Sequence, residues 1–176
     1  MHDVDERDVV IKLSESPRPD VGAPLPLLVS DEHNLILAYL VSTRDPNWDG
    51  SYINVVTPES KRDAVAIIRF RQPYVHYFGP PNDEAFDGHP LASRGLHPYA
   101  AFEVRQSSWL RHLERMNSVH PHHNAELFLA RRRHFVFAFH DSTFECIAEG
   151  FDCQIIRGSL RDALDRMASL VVEAWR

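Results

Sequence analysis

The stretch HFVFAFHDSTFEC, residues 134–146, constrains the fold of this chain more than any other. Phe135, Phe137 and Phe139 alternate there with His134, Val136, Ala138 and His140. Side chains of a strand point to opposite faces in turn, so the three phenylalanines share one strongly apolar face and the two histidines fall on the other. Asp141, Ser142 and Thr143 supply a turn, and residues 144–148 return as an antiparallel partner. Residues 153–156 follow the Gly150 break as a further strand.

The remaining elements fit an α+β chain built on that sheet. Residues 9–13 read as a short edge strand, and residues 27–30 and 35–41 as a hairpin around Asp31, Glu32, His33 and Asn34. A polar loop over 43–51 precedes apolar residues 52–56, and 64–70 is strand-like through its β-branched content. In the extended segment 74–78, Tyr74, His76 and Phe78 share a face, with Pro73 marking a bend. Residues 99–106 open either as a helix on Pro98 or as a strand with Ala100, Phe102 and Val104 inward; the strand is the reading adopted. Ser107 or Ser108 then caps a short helix with Trp109, Leu110, Leu113 and Met116 as its stripe. At the other end Ser159 and Asp162 form a box-like start for a helix carrying Leu160, Leu164, Met167, Val171 and Ala174, flanked by Ala163, Ala168 and Trp175. The expected architecture is one α+β domain over 1–176, mainly antiparallel sheet, strongly curved or barrel-like, with one short internal helix and a C-terminal amphipathic helix.

Two stretches resist regular structure. Residues 14–26 contain four prolines and read as an extended surface connection. Residues 79–98, GPPNDEAFDGHPLASRGLHP, hold four prolines and three glycines. Loops of this length inside a domain are uncommon and often functional; the alternative is a cover over one edge or open end of the sheet.

Composition narrows the function classes. With 176 residues, the chain can bury roughly two thirds of its unfolded surface. A formal charge of −6 disfavours a broad grip on phosphate backbones, and Arg131, Arg132 and Arg133 are too short a run to reverse it, so no nucleic-acid partner is expected. No stretch approaches the roughly 20 apolar residues that span a bilayer, and the acidic N-terminal segment MHDVDERDVV does not resemble a signal peptide. Two cysteines make neither a disulfide framework nor a thiolate metal site. A soluble, cytoplasmic protein without a membrane partner is the expectation.

Eleven histidines are the compositional oddity. His120, Pro121, His122 and His123 look like a metal cluster, but a proline-bent loop does not fix coordination geometry, and no metal role is assigned to them. No zinc, nucleophile-elbow or phosphate-loop motif is present, and no cofactor is implied. The catalytic candidates are His140, Asp141 and Glu145 at the hairpin, where an imidazole beside carboxylates is suited to general acid–base work. The competing account is that Asp141 and Ser142 merely serve the turn. Ligand-binding candidates are His76, Asp83, Glu84, His89, Trp109 and His134, which meet if the 79–98 loop folds over the histidine-bearing face. Cys146 is a nucleophile only where a histidine activates it, and otherwise a small buried hydrophobe.

Three segments, FGPPNDEAFDGHPLASRGL, EVRQSSWL and FHDSTFEC, together resemble a family of uncharacterised bacterial proteins of similar length, to which no activity is assigned. The resemblance implies that loop, tryptophan helix and hairpin belong to one structural unit, and supplies no substrate. Two function classes follow. One is a non-catalytic protein that engages a protein partner or small ligand through the 79–98 loop; the other is a histidine–carboxylate or metal-dependent enzyme centred on His140 and Asp141. They separate on whether two of His76, His89, His134 and His140, with one of Glu103, Asp141 or Glu145, line a common concave pocket. An edge strand also leaves a homodimer open.

Overall fold

A computed structural model describes residues 3–42, 57–60 and 64–173. The loop read over 43–51, the apolar residues 52–56, and Ala174 and Trp175 of the terminal helix lie outside the described residues. Nine strands among those described form two antiparallel sheets. The five-stranded sheet has the order β1 (Val9–Lys12), β6 (Ala100–Arg105), β7 (Arg133–Ala138), β8 (Thr143–Ala148), β5 (Val75–Gly79). The four-stranded sheet runs β2 (Leu27–Ser30), β3 (Leu35–Leu40), β4 (Ala64–Arg71), β9 (Gly150–Arg157).

The phenylalanine face is the centre of the molecule. Phe135, Phe137, Phe139 and Phe144 pack against Leu35, Leu37, Tyr39, Ile68 and Phe70 of the other sheet. Each sheet is covered on its second face as well. Leu160, Ala163, Met167 and Leu170 of α3 (Leu160–Glu173) lie on Ile36, Ala38, Val65 and Ile67. Phe86, Leu91 and Leu96 of the long loop lie on Ala100, Phe102, Val136 and Ala138. Beside them α1 (Ser108–Asn117) and α2 (Ala125–Arg131) bring Leu110 and Phe128 against Ile147. The order of layers is therefore helix, sheet, sheet, then loop with helices. Because its sheet is covered on both sides, LILAYL in β3 is apolar throughout instead of alternating, and all six residues are buried.

The α+β class, the antiparallel pairing and the C-terminal helix are as read from the sequence, and residues 100–105 form the strand adopted above. Five details differ. The sheets are not closed into a barrel. A second internal helix, α2, is present, with Asn124 Oδ1 accepting from the Leu127 amide at 2.9 Å; its seven residues show no long periodic stripe. β9 starts at Gly150 and pairs with β4 in the other sheet, so the glycine begins a strand and does not break one. On α3 the buried stripe is Leu160, Ala163, Met167 and Leu170, with Val171 partly buried against the same cluster as read, while Leu164 is 44% exposed: the helix is rotated away from Leu164. Met116 of α1 is likewise exposed. The box at the start of α3 is present as read, Ser159 N donating to Asp162 Oδ2 at 2.8 Å and Asp162 N to Ser159 Oγ at 3.1 Å.

Candidate functional site

Sheet register decides which candidates meet. In the β7–β8 pair Val136 lies opposite Glu145 and His134 opposite Ile147, so Glu145 and His134 are diagonal neighbours on the face away from the phenylalanines. The long loop drops His89 onto that face. Glu145 Oε2 accepts from His134 Nε2 at 2.9 Å, and Oε1 from His89 Nε2 at 3.3 Å. His134 Nδ1 is 2.9 Å from Ser107 Oγ, the N-cap of α1, which accepts the Leu110 amide at 3.1 Å. Burial acts to raise the Glu145 pKa, but the hydrogen bonds of His134 and His89 outweigh it and hold the carboxyl well below the usual range. Relative exposures are 0% for His134, 1% for Glu145, 2% for Ser107 and 3% for His89. The convergence foreseen for these residues exists, but as a closed core and not as an open pocket. Its role is to pin loop, helix cap and hairpin together. Trp109 stands edge-on to the His134 ring at 5.1 Å and belongs to the same packing.

His140 lies beyond the end of β7 and joins a second cluster nearer the surface. Its Nδ1 is 2.9 Å from Asp83 Oδ2 and 2.8 Å from the Tyr99 hydroxyl, which itself donates to the Asp83 carboxylate. Backbone bonds set this triangle. Asp83 N donates to His140 O at 2.8 Å, and Tyr99 N to Ala138 O at 2.9 Å. Tyr99 holds φ at +60°, a conformation that costs a non-glycine residue and lets its ring stack on His140 at 6.2 Å. The hydrogen bond to Asp83 raises the His140 pKa against the opposing effect of burial. Asp83 is lowered, first by Tyr99 and also by His140. Burial, helped by Asp83, pushes Tyr99 up to about 12. With Nδ1 held, Nε2 is the free face of the imidazole, 4.0 Å from Asp141 Oδ1, and the His140 side chain is 42% exposed.

The other candidates fall elsewhere. His76 sits on β5 opposite Cys146, on the inter-sheet face, and stacks on Phe144 at 6.3 Å; burial lowers its pKa. Glu84 and Asp141 are exposed. Glu103 pairs with Arg133 and Arg105. Cys146 faces the phenylalanine core, away from both histidines of the buried network, and burial raises its thiol well above the ordinary value, which suits a packed hydrophobe and not a nucleophile. Among the described residues no group of three or more His, Cys, Asp or Glu side chains is placed to hold a metal ion.

Sequence reasoning did not find Tyr99 as a site residue, since a single tyrosine between a proline and a strand carries no periodic signal. It also missed a cleft of about 360 Å3 between Asp3 and Asp5 and the polar face of α1, Ser108, Arg111, His112 and Arg115. Their spacing of three, four and seven was the available sign. Arg111 there is neutralised by Asp5 at 2.6 Å, and Ser108 Oγ has no hydrogen-bond partner among the described residues.

Among the described residues no helix is long and apolar enough to cross a membrane. No protein-family model, no curated protein and no solved structure matches this chain.

Proposed function

We propose that this chain is a binding protein of the cytoplasm whose recognition face is the outer edge of the 79–98 loop together with the hairpin tip at His140 and Asp141, and that its partner is a protein presenting lysine or arginine side chains. One observation carries the reading: the loop is a fixed layer of the fold. Phe86, Leu91 and Leu96 are buried beneath it, Thr143 Oγ1 donates to Pro81 O at 2.9 Å, and Arg94 Nη1 donates to Asp8 O at 2.9 Å. A segment already ordered in the free protein loses little entropy on binding. The carboxylates of Asp83, Glu84, Asp87 and Asp141 along its rim favour a cationic partner. The free thiols of Cys146 and Cys153 suit a reducing compartment.

A photo-crosslinking residue in place of Glu84, compared with one in place of Arg166 on α3, tests this in extract of the producing cell. A discrete adduct at position 84, absent at 166 and lost when Asp83 and Asp141 are changed to Asn, is the expected result. No adduct, or the same adduct at both positions, contradicts it.

A second reading is favoured by the His140 geometry alone. An imidazole with Nδ1 bound to a carboxylate and Nε2 open is poised as a general base. Turnover of any substrate that is abolished by His140→Gln and retained in Glu84→Gln would replace the binding reading with this one.

A further inference from the structure

The cleft between the N-terminal segment and α1 has two fixed walls. Residues 3–8 form the outer one, and they are held at Asp8, which is 3% exposed. Its Oδ1 accepts the Ser108 amide at 2.6 Å and its Oδ2 the Asp5 amide at 2.8 Å. Asp8 N donates to Asp5 O at 3.2 Å, and Arg94 of the long loop donates to Asp5 O and to Asp8 O. The inner wall is the polar face of α1, and about 360 Å3 lies between the two.

The charges that line this space divide into a set that is satisfied and a pair that is not. Asp5 accepts from Arg7 at 2.9 Å and from Arg111 at 2.6 Å. The bonds from Arg7, and after them that from Arg111, hold its carboxyl well below the usual range. Asp3 on the outer wall and Arg115, one turn beyond Arg111 on α1, are exposed and form no ion pair among the described residues. Ser108, 8% exposed, lines the cleft as well, and its Oγ has no hydrogen-bond partner among the described residues. A buried hydroxyl without a partner is costly, and a ligand oxygen at this wall supplies the acceptor it lacks.

This lining selects a class of ligand. Two carboxylates face two guanidiniums, with His112 between the arginines in sequence, so a ligand of one sign gains from one wall and is opposed by the other. Val4 is the one apolar side chain in the lining among the described residues, which leaves little to hold a large hydrophobic group. The volume is at the low end for ligand pockets.

We infer that the cleft is a binding site for a small zwitterion of the amino-acid or dipeptide class: Arg115 takes the carboxylate as a forked pair of hydrogen bonds, Ser108 Oγ adds a third, and Asp3 takes the ammonium. Arg111 stays with Asp5 and shapes the wall. A molecule that lacks either charge leaves Asp3 or Arg115 facing an uncharged group, and that difference is the source of selectivity. The site stands independently of the recognition face proposed on the rim of the 79–98 loop.

The test is NMR of the full chain, following the amides of residues 108–115 as probes are added. The probes are the common α-amino acids and a set of glycyl dipeptides, each also in its N-acetyl and its C-amide form, and inorganic phosphate. At least one unblocked probe is expected to shift these amides saturably below about 10 mM, and blocking either of its ends to weaken it about ten-fold or more. Whether the amino acids or the dipeptides bind tells which span of charge fits. Asp3→Asn and Arg115→Gln, both at exposed positions, each weaken the best probe by a similar factor, while Arg166→Gln on α3 leaves its affinity unchanged. No saturable shift with any probe, a blocked form that binds as well as its parent, or full affinity in either cleft variant overturns the inference. Phosphate that binds more tightly than every zwitterion overturns it in favour of a plain anion site.

Discussion

Glu145 is the residue on which most of the structure turns. It sits in a strand every other residue of which is also buried, and its charge is tolerated because two imidazoles donate to it. Removing one partner of such a group strands the others in the core. Glu145→Ala is accordingly expected to cost about 3–5 kcal/mol in urea unfolding, whereas Glu103→Ala, whose partners are the exposed Arg105 and the half-buried Arg133, costs less, about 1 kcal/mol. The pH dependence has a definite sign at each cluster. Glu145 and Asp83 are both depressed in the folded protein, so their contribution is present above the ordinary carboxylate range and fades as pH falls below it. His140 is raised, so its contribution is present below the ordinary imidazole range and is lost as pH climbs through the raised value. NMR titration of the His140 ring should show it protonated to higher pH than an unperturbed histidine, and Asp83→Asn should move it back down. No movement in that variant would mean Asp83 is not its partner.

At the scale of elements, what the sequence made legible was whatever repeats. The alternating phenylalanines of β7, the turn at Asp31 and the Ser159–Asp162 box each follow from spacing or from a local hydrogen bond, and each is present. Elements governed by distant packing were harder. α2 is too short for a periodic stripe, and the rotation of α3 depends on which ridge of Ile36, Ala38, Val65 and Ile67 it meets. That rotation makes a direct test. Met167→Ala should cost about 2–5 kcal/mol in chemical denaturation because it empties a fully buried site, while Leu164→Ala should stay within about 0.5 kcal/mol. Equal costs at the two positions would restore the stripe drawn through Leu164. The candidate site divides in the same way. Strand alternation put His134 on the face opposite the phenylalanines, and the loop's length and rigidity suggested that His89 could reach that face. The same folding of the loop brought Asp83 toward His140, but nothing local indicated that Tyr99 would join them, because its contact with His140 spans 41 residues of chain.

For the molecule as a whole, the loop at 79–98 completes the layering. Without it the face of the five-stranded sheet bearing Ala100, Phe102, Val136 and Ala138 would lie open, so the segment closes the core, and its polar rim is the face proposed above for recognition. On the proposed reading, covering and recognition fall to the same segment. The Gly95 backbone, at φ +95°, ends the second turn of the loop in a conformation that glycine tolerates best, which supports a single built shape. The most direct measurement of this account is amide exchange across the loop at neutral pH. The amides of Asp83, His89 and Leu91, bonded to His140 O, Phe86 O and His89 Nδ1, are predicted to exchange at least about 100-fold more slowly than in an unstructured chain. Exchange of all three at the unstructured rate would show that the layer is not formed, and would contradict the recognition face proposed on it.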